Sequence, residues 1–442
     1  MTSRAQVKNQ QPLGYPGTWY ASTLTDHRVR PKYRGPSKTE IVVIGAGLAG
    51  LTTALECLRV GKSVTVLEAK RIGWGASGRN GGFVVAGFAE EVTHLVKSVG
   101  LEKAQALYGY SRMGVEYVRE QISLLDPTLM TGQGVIGVSR HLASADFDQE
   151  RDFLRTYCDH EVEKWNPQKT RSVLNSQCYF DALSDPEGFH IHPLNYVRAL
   201  GREVERLGGQ IFENSRVDRL VLSTEIKKCW IGNEVISSNT VVLCTSAYDR
   251  QLVRAVAGAV LPVATHVAVT EPLTRKTNPI LTGSAIADTR RAGDYYRMVD
   301  EGRLLWGGKI TTRKRPPRRL AAEMKRSYCA TYPSLQEVNV DYCWSGLMGY
   351  AVHKMPIIGE LEPGLWVATA FGGHGLNTTA MAGCLVASAI TDRDERWRDF
   401  SHFSAQWVGG PLGRVGVQAS YWLMQLKDKM DERRSRMRLG NA

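Results

Sequence analysis

Gly45, Gly47 and Gly50 stand in the spacing G-x-G-x-x-G, and Glu68 follows 18 residues after the last of them. The chemistry that needs this set is the holding of a dinucleotide. The first glycine allows a tight turn, the second lets the backbone approach a pyrophosphate, and the third lets a helix pack closely on a sheet. An acid about 20 residues further on accepts a hydrogen bond from a ribose hydroxyl. A carboxylate there repels a 2′-phosphate, so Glu68 argues against NADP. No metal chemistry competes: none of the eight cysteines is in C-x-x-C spacing, and no His/Cys cluster has the spacing of a zinc site.

These residues need elements to position them. Residues 41–44 are an apolar, β-branched run, which reads as a buried parallel strand. A helix over 48–60 aims its free N–H groups and positive dipole end, at Leu48 and Ala49, toward the pyrophosphate. Gly61 suits the left-handed cap position that ends it. Residues 63–67 form the next strand, with Glu68 at its C-terminal end.

The following stretch, KRIGWGASGRNGGF at 70–83, is rich in glycine and small residues and carries little that could build a core. It suits a chain wrapping a long ligand with backbone contacts. Here the sequence resembles the D-amino-acid-oxidase-like FAD oxidoreductases, especially the branch that includes gamma-glutamylputrescine oxidoreductase. Residues 43–68 and 72–82 match that branch nearly position for position, and the resemblance extends from about 40 to 430. It implies an α/β fold: a Rossmann-type FAD-binding domain with an interleaved substrate domain built on a mostly antiparallel sheet.

The resemblance carries FAD contacts to the glycine turn, to Glu68 and Ala69, and to Trp74, Gly75, Ala76, Ser77, Arg79, Asn80, Gly81 and Gly82 in the loop. It adds Val217 and Thr245. Relatives end the strand near 241–247 in A-T-G-A, whereas this chain has Cys244-Thr245-Ser246-Ala247. Serine fits there if its backbone stays in the β region. The last element, 364–390, is a strand, a glycine turn and a helix whose N-terminus faces the flavin ring in the family. It brings in Gly373, His374, Gly375, Leu376, Asn377 and Thr378. Relatives carry an acid where this chain has His353.

In such enzymes a flavin takes a hydride from a C–H bond next to an amine, and the protein stabilises the negative charge that reaches the ring. The backbone N–H groups of 375–378 are the candidates for that stabilisation, with His374 lining the ring or the substrate. His190 and His192 are weaker candidates. Asp-Tyr-Tyr-Arg recurs in the family, here ending in Tyr295, Tyr296 and Arg297, and the resemblance makes Tyr296 and Arg297 candidates for the catalytic site. Arg297 could hold a substrate carboxylate, or it could stabilise the fold. Covalent attachment in related enzymes uses a histidine in the loop, where this chain has Asn80, or a cysteine before the final helix. No cysteine stands between Cys343 and Cys384, so FAD is expected to be non-covalent.

Composition sets outer bounds. A chain of 442 residues exceeds one compact core, and 43% hydrophobic with 23% charged content is that of a globular protein. A formal net charge of +12 favours anionic substrates or surfaces. No nucleic-acid-binding pattern accompanies it. The polar, proline-bearing N-terminus has no apolar leader, no stretch is apolar enough to span a membrane, and the cysteine usage suits a reducing cytoplasm.

Along the chain, 1–38 is expected as an extended surface arm anchored by Trp19 and Tyr20. The FAD-binding domain is expected over 39–110, 188–258 and 345–400, and the substrate domain over 111–187 and 259–344. Helices are expected over 90–125, 144–165 and 193–208. Strands are expected near 134–139, 210–213, 216–223, 227–231, 240–244, 263–270, 294–299 and 303–309. The basic run at 310–319 reads as a solvated loop. The tail at 401–442 holds a helix over 420–438 with Trp422, Leu423, Leu426 and Met430 on one face. That face either docks on the body or contacts a membrane surface.

These readings converge on FAD-dependent oxidation of an amine or amino acid to an imine, with a gamma-glutamylated polyamine as the leading substrate. Sarcosine- or pipecolate-like amino acids come next, with O2 or a membrane quinone as the acceptor. The rival readings are a protein in which FAD is structural and an NAD-linked dehydrogenase, the latter opposed by the loop and the C-terminal element.

Overall fold

The computed structural model describes all residues except 1–11, 143, 223–224, 249–251, 275–277, 291–292, 314 and 441–442. The run at 41–44 lies inside the strand Ser37–Ile44, and its four residues are almost wholly buried. Being apolar on both faces, it takes the centre of a parallel arrangement. It pairs in parallel with Val64–Leu67 on one side and Glu234–Leu243 on the other. Gln210–Phe212 and Leu365–Thr369 extend the sheet in parallel. Antiparallel strands at Ile357–Glu362, Lys227–Ile231 and Arg219–Val221 complete eight strands.

A second, nine-stranded sheet runs in the order Val340–Tyr350, Leu261–Thr270, Arg303–Thr311, Tyr295–Val299, Ala285–Asp288, Met130–Val138, Ala182–Ile191, Phe83–Val84, with Glu163–Trp165 beside Ala182–Ile191. All of its pairs are antiparallel except that of Ala285–Asp288 with Met130–Val138. The expected fold class is therefore the one observed. The expected boundary at 110/111 falls within the continuous helix Leu101–Leu125, and that at 187/188 within the strand Ala182–Ile191.

Helices cover the parallel sheet. Leu48–Arg59 begins at Gly47 and ends just before Gly61, whose φ of +80° turns the chain as expected. Gly375–Asp392 packs against it at Gly383, where an added Cβ would lie 2.6 Å from Thr52 Cβ. Leu101–Leu125 packs on the same helix from another side, with Gly114 against the Asn377 carbonyl. Pro193–Arg206 starts at the expected proline and buries Leu194, Val197, Leu200 and Val204.

Four differences from the sequence reading have physical causes. The helix expected over 144–165 stops at Cys158, because Glu163–Trp165 pairs with Ala182–Ile191. The helix Leu320–Thr331 and the strand Val340–Tyr350 were not expected; the strand buries alternate residues along most of its length. Of the described part of the arm, much of 25–38 is exposed as expected, but the chain at Trp19 and Tyr20 is not extended: the two form a one-turn helix capped by Thr18 and are 3% and 0% exposed. Tyr20 packs edge-on against His192 and Trp344, and Trp19 against Tyr342. The C-terminal helix begins at Gly410 and turns Gln418, Asp428 and Ser435 inward, leaving Trp422, Leu423, Leu426 and Met430 exposed. Arg313, Arg315, Arg318 and Arg319 are exposed as a solvated loop requires, and Lys314 lies outside the described residues.

Candidate active site

The glycine turn closes on itself. A Cβ on Gly50 would lie 2.0 Å from the Gly45 carbonyl oxygen, so only glycine brings the helix this close to the turn. The first-turn N–H groups of Leu48–Arg59 have no intrahelical acceptors. One of them, Leu48 N, donates to Ser77 Oγ at 3.0 Å, which ties the loop at 70–83 to the helix end.

Glu68 accepts from Ala46 N at 2.9 Å and from Lys70 N at 2.7 Å. Burial, with the Glu213 carboxylate adding to it, pushes its carboxyl up to about 7. Ala69, next to it, is exposed, and Val217 is buried in the apolar cluster behind Leu67 and Leu243. Below Glu68 the fully buried Glu213 accepts from Ile72 N at 2.9 Å and Arg30 N at 3.0 Å and pairs with Arg71 at 2.8 Å. It fixes the start of the loop.

The loop is shaped by its own side chains. Asn80 donates to the carbonyls of Ala76 and Ser77 and accepts from Gly82 N. Gly82 has φ +85°, and a Cβ there would lie 2.5 Å from the Ile191 carbonyl oxygen. Arg79 lies over the Trp74 ring at 4.4 Å and the Tyr248 ring at 5.3 Å. It donates to the carbonyls of Gly75 and Ser345, and its buried Nη2 has no hydrogen-bond partner. Gly75 packs on the Tyr248 ring, and the Tyr248 hydroxyl accepts from Leu347 N at 3.0 Å. This cluster joins the loop to the chain after Glu234–Leu243 and to the Val340–Tyr350 strand.

The Thr369-to-Gly375 turn meets the same strand five residues on. Gly373 lies beside the Tyr350 hydroxyl. His374 is the N-cap residue of Gly375–Asp392 but makes no side-chain cap bond. Its Nδ1 is buried without a partner, and burial pushes the imidazole down to about 4, so the ring is neutral near pH 7. Thr378 Oγ1 donates to the His374 carbonyl, and Asn377 Nδ2 to the Gly87 and Ser111 carbonyls. These side chains fix the helix end, and the backbone N–H groups of its first turn, from Gly375 and Leu376 onward, remain to face outward.

Ser246 departs from the expected condition. Its φ is +52°, in the left-handed region rather than the β region, just after Thr245. His353 turns away: Nε2 lies 3.2 Å from the Ser404 carbonyl and its ring packs on Phe403.

Two expected catalytic residues take other work. Tyr296 is fully buried, stacked on Trp306 at 4.4 Å, with its hydroxyl 2.9 Å from those of Tyr179 and Tyr332. Successive strand residues face opposite sides. Tyr295 therefore faces the loop, where it meets Phe83 edge-on at 5.6 Å, Gly81 and Thr265. Arg297 faces the same way, but its guanidinium is spent. It donates to Gly81 O at 2.8 Å, Ile191 O at 2.7 Å, Thr131 Oγ1 at 2.9 Å and Tyr20 OH at 3.3 Å, and lies 3.1 Å from His190 Nδ1. It holds loop backbone rather than a substrate carboxylate. His190 and His192 each have both ring nitrogens in hydrogen bonds, the former to Thr131, Arg297 and Gly283, the latter to Asn195 and Thr23.

The sequence reading missed Tyr248, Tyr350, Phe83 and Thr265. The sequence expectation falls on Tyr296 rather than Tyr295, because the phase of the pleat is not written in that short run; it is Tyr295 that faces the loop. Among the described residues no group of His, Cys, Asp and Glu could hold a metal ion.

The arrangement fits an extended dinucleotide. It offers a helix N-terminus at a glycine turn, an acid at the end of the next strand, and a backbone-rich loop. Beyond these lie unspent polar atoms on Arg79 and His374 and a second helix N-terminus. The family described as "DAO: FAD dependent oxidoreductase" matches residues 40–389. The chain is 31% identical to the probable oxidoreductase OrdL of Haemophilus influenzae, over 85% of this chain and 88% of that one. It is 27% identical to gamma-glutamylputrescine oxidoreductase of Escherichia coli, over 93% and 98%. Among solved structures, L-proline dehydrogenase from P. horikoshii superposes with a TM-score of 0.70 at 18% identity, covering 84% of this chain and all of that one, a likeness of fold.

Proposed function

The chain belongs to the family of FAD-dependent oxidoreductases, acting on amines or amino acids, and on that premise we propose that its substrate is an amine carried on a longer chain, with a gamma-glutamylated polyamine first. The spent guanidinium of Arg297 carries this reading. The arginine placed to hold an α-carboxylate has its donors on backbone and side-chain acceptors of the protein. The inward wall beside it is Tyr295, Phe83 and Thr265, neutral surfaces that suit a neutral amine and its methylenes. The match along nearly the whole length of gamma-glutamylputrescine oxidoreductase supports the same choice.

FAD, when bound, accepts the hydride from the C–H bond next to nitrogen, leaving an imine that water hydrolyses. Glu68 and the glycine turn would hold the ribose and pyrophosphate end, and the loop from Trp74 to Gly82 and the Thr245 turn would enclose the rest. Arg79 Nη2 and the first-turn N–H groups of Gly375–Asp392 supply positive potential inside a buried site, where it is worth most. Burial pushes the His374 imidazole down to about 4, which makes it too weak a base to take the proton of a substrate ammonium. The substrate amine must therefore enter already neutral.

The test is anaerobic mixing of the yellow protein with primary amines, secondary amines and amino acids, followed near 450 nm. Bleaching by gamma-glutamylated or free polyamines supports the proposal; bleaching by α-amino acids alone overturns it. Fast recolouring in air assigns O2 as the acceptor, and slow recolouring assigns a quinone.

A further inference from the structure

We propose that the Gly410–Gly440 helix is an in-plane anchor that docks this protein on an anionic phospholipid surface. The helix is 31 residues long, about 46 Å at 1.5 Å per residue. Its inner side is tied to the body by Val417 and Tyr421, which pack on the apolar cluster of Leu261, Val263 and Val408, and by polar contacts. Gln418 Oε1 accepts from Thr311 Oγ1 and Thr312 N at 2.7 and 2.9 Å. Glu432 pairs with Arg140 at 3.2 Å and lies 3.7 Å from Arg290. Ser435 Oγ accepts from Leu142 N at 3.0 Å.

The outer side is apolar. Leu412, Val415, Trp422, Leu423 and Leu426 are 81, 68, 55, 67 and 56% exposed. Met430 and Met437 continue the stripe at 46 and 62%. At 100° per residue these seven fall within one arc of about 100°. A helix packed only on its own core turns its apolar stripe inward; this one carries a second apolar stripe on the side away from Val417 and Tyr421.

Charge decides the occupant. The helix carries three acids, and none is on that arc: Asp428 is buried, Glu432 is paired inward, and half-buried Asp431 sits on the flank, 4.0 Å from Arg434. Lys427, Lys429, Arg433 and Arg434 are exposed along the stripe or its margins. Two such faces packed in parallel would oppose basic residue to basic residue, and packed antiparallel would leave those residues over an apolar stripe with no acid on it, so a second copy of this chain offers them no charge complement. A bilayer carrying acidic headgroups takes both components, with apolar side chains entering the interface and basic ones meeting phosphates. Among the described residues no helix is long and apolar enough to cross a membrane, and an in-plane helix needs none.

The test is flotation of the full-length holoprotein with vesicles of phosphatidylcholine alone or with about 30% phosphatidylglycerol, which gives a strongly negative surface. The expected result is at least tenfold greater recovery with the anionic vesicles, reversed by salt. Leu423→Glu with Leu426→Glu should abolish recovery, and Lys429→Gln with Arg433→Gln should cut it severalfold. All four side chains are exposed, so an unchanged flavin spectrum and melting temperature certify the fold. Equal recovery on both vesicles would overturn the proposal. So would no recovery at all, or a wild-type dimer that the Leu423→Glu, Leu426→Glu variant turns into a monomer, which would assign the face to a second copy. None of these readouts depends on which amine is oxidised.

Discussion

Arg297 Nε donates to the Gly81 carbonyl oxygen at 2.8 Å, so a strand of the antiparallel sheet grips the backbone of the dinucleotide-side loop. The same guanidinium reaches Ile191 and the Tyr20 hydroxyl. Three segments far apart in sequence therefore meet on one side chain, and the seat between the sheets depends on it.

Arg297→Lys should lower stability by about 3 kcal/mol, since a point charge cannot serve the acceptors arranged for a planar fork and buried groups lose partners. The flavin should dissociate more readily, and turnover should fall alike for substrates with and without a carboxylate. Urea melts and kcat/KM on both kinds of substrate check this. A loss confined to carboxylate substrates would instead assign Arg297 to the substrate.

Glu68 makes FAD binding depend on pH. Its folded carboxyl, at about 7, lies above the ordinary 4.5, so in the FAD-free protein the proton is held more tightly folded than unfolded. That contribution to stability is full below about 4.5 and is lost as pH rises through 7. A ribose hydroxyl needs the ionised carboxylate as acceptor, so binding expels the proton. The FAD dissociation constant should rise by up to about tenfold per pH unit below 7. Glu68→Gln should flatten that dependence and weaken binding at pH 8. Flavin fluorescence titrations from pH 5.5 to 8.5 measure both.

Tyr296→Phe should cost about 1–3 kcal/mol by leaving the buried hydroxyls of Tyr179 and Tyr332 short of a partner, with KM unchanged. Tyr295→Ala should raise KM at least several-fold with less effect on the melting point. The pair separates the two faces of one strand by kinetics and calorimetry.

Ser246→Gly should stabilise the protein by up to about 1 kcal/mol, because serine at φ +52° bears a strain that glycine does not. Chemical denaturation checks the sign. A destabilised variant would show that contacts of the serine side chain outweigh the strain.

kcat/KM should rise with pH toward the pKa of the substrate amine itself, with no added ionisation from His374, whose imidazole burial pushes down to about 4. Stopped-flow flavin reduction with two amines of different basicity should give profiles displaced by that difference. Profiles that coincide would point to a titrating group on the protein.

The sequence alone determined the dinucleotide half. Gly45 to Glu68 is a local pattern, in which strand, turn, helix and acid are consecutive and each position is set by backbone geometry within one βαβ unit. The same holds for the final strand and the helix at Gly375, whose small residues announce close packing. What only the tertiary structure decided is which groups remain free. Arg297 is open in the sequence to either a substrate carboxylate or the fold, and the acceptors of Gly81, Ile191, Thr131 and Tyr20, remote in sequence, are brought to it only by the tertiary structure. Tyr295 and Tyr296 differ only in the phase of a pleat that the neighbouring strands fix. The apolar stripe of the last helix is plain in the sequence. Its outward orientation is not, because that depends on Arg140, Arg290 and Thr312 offering polar partners to the opposite face.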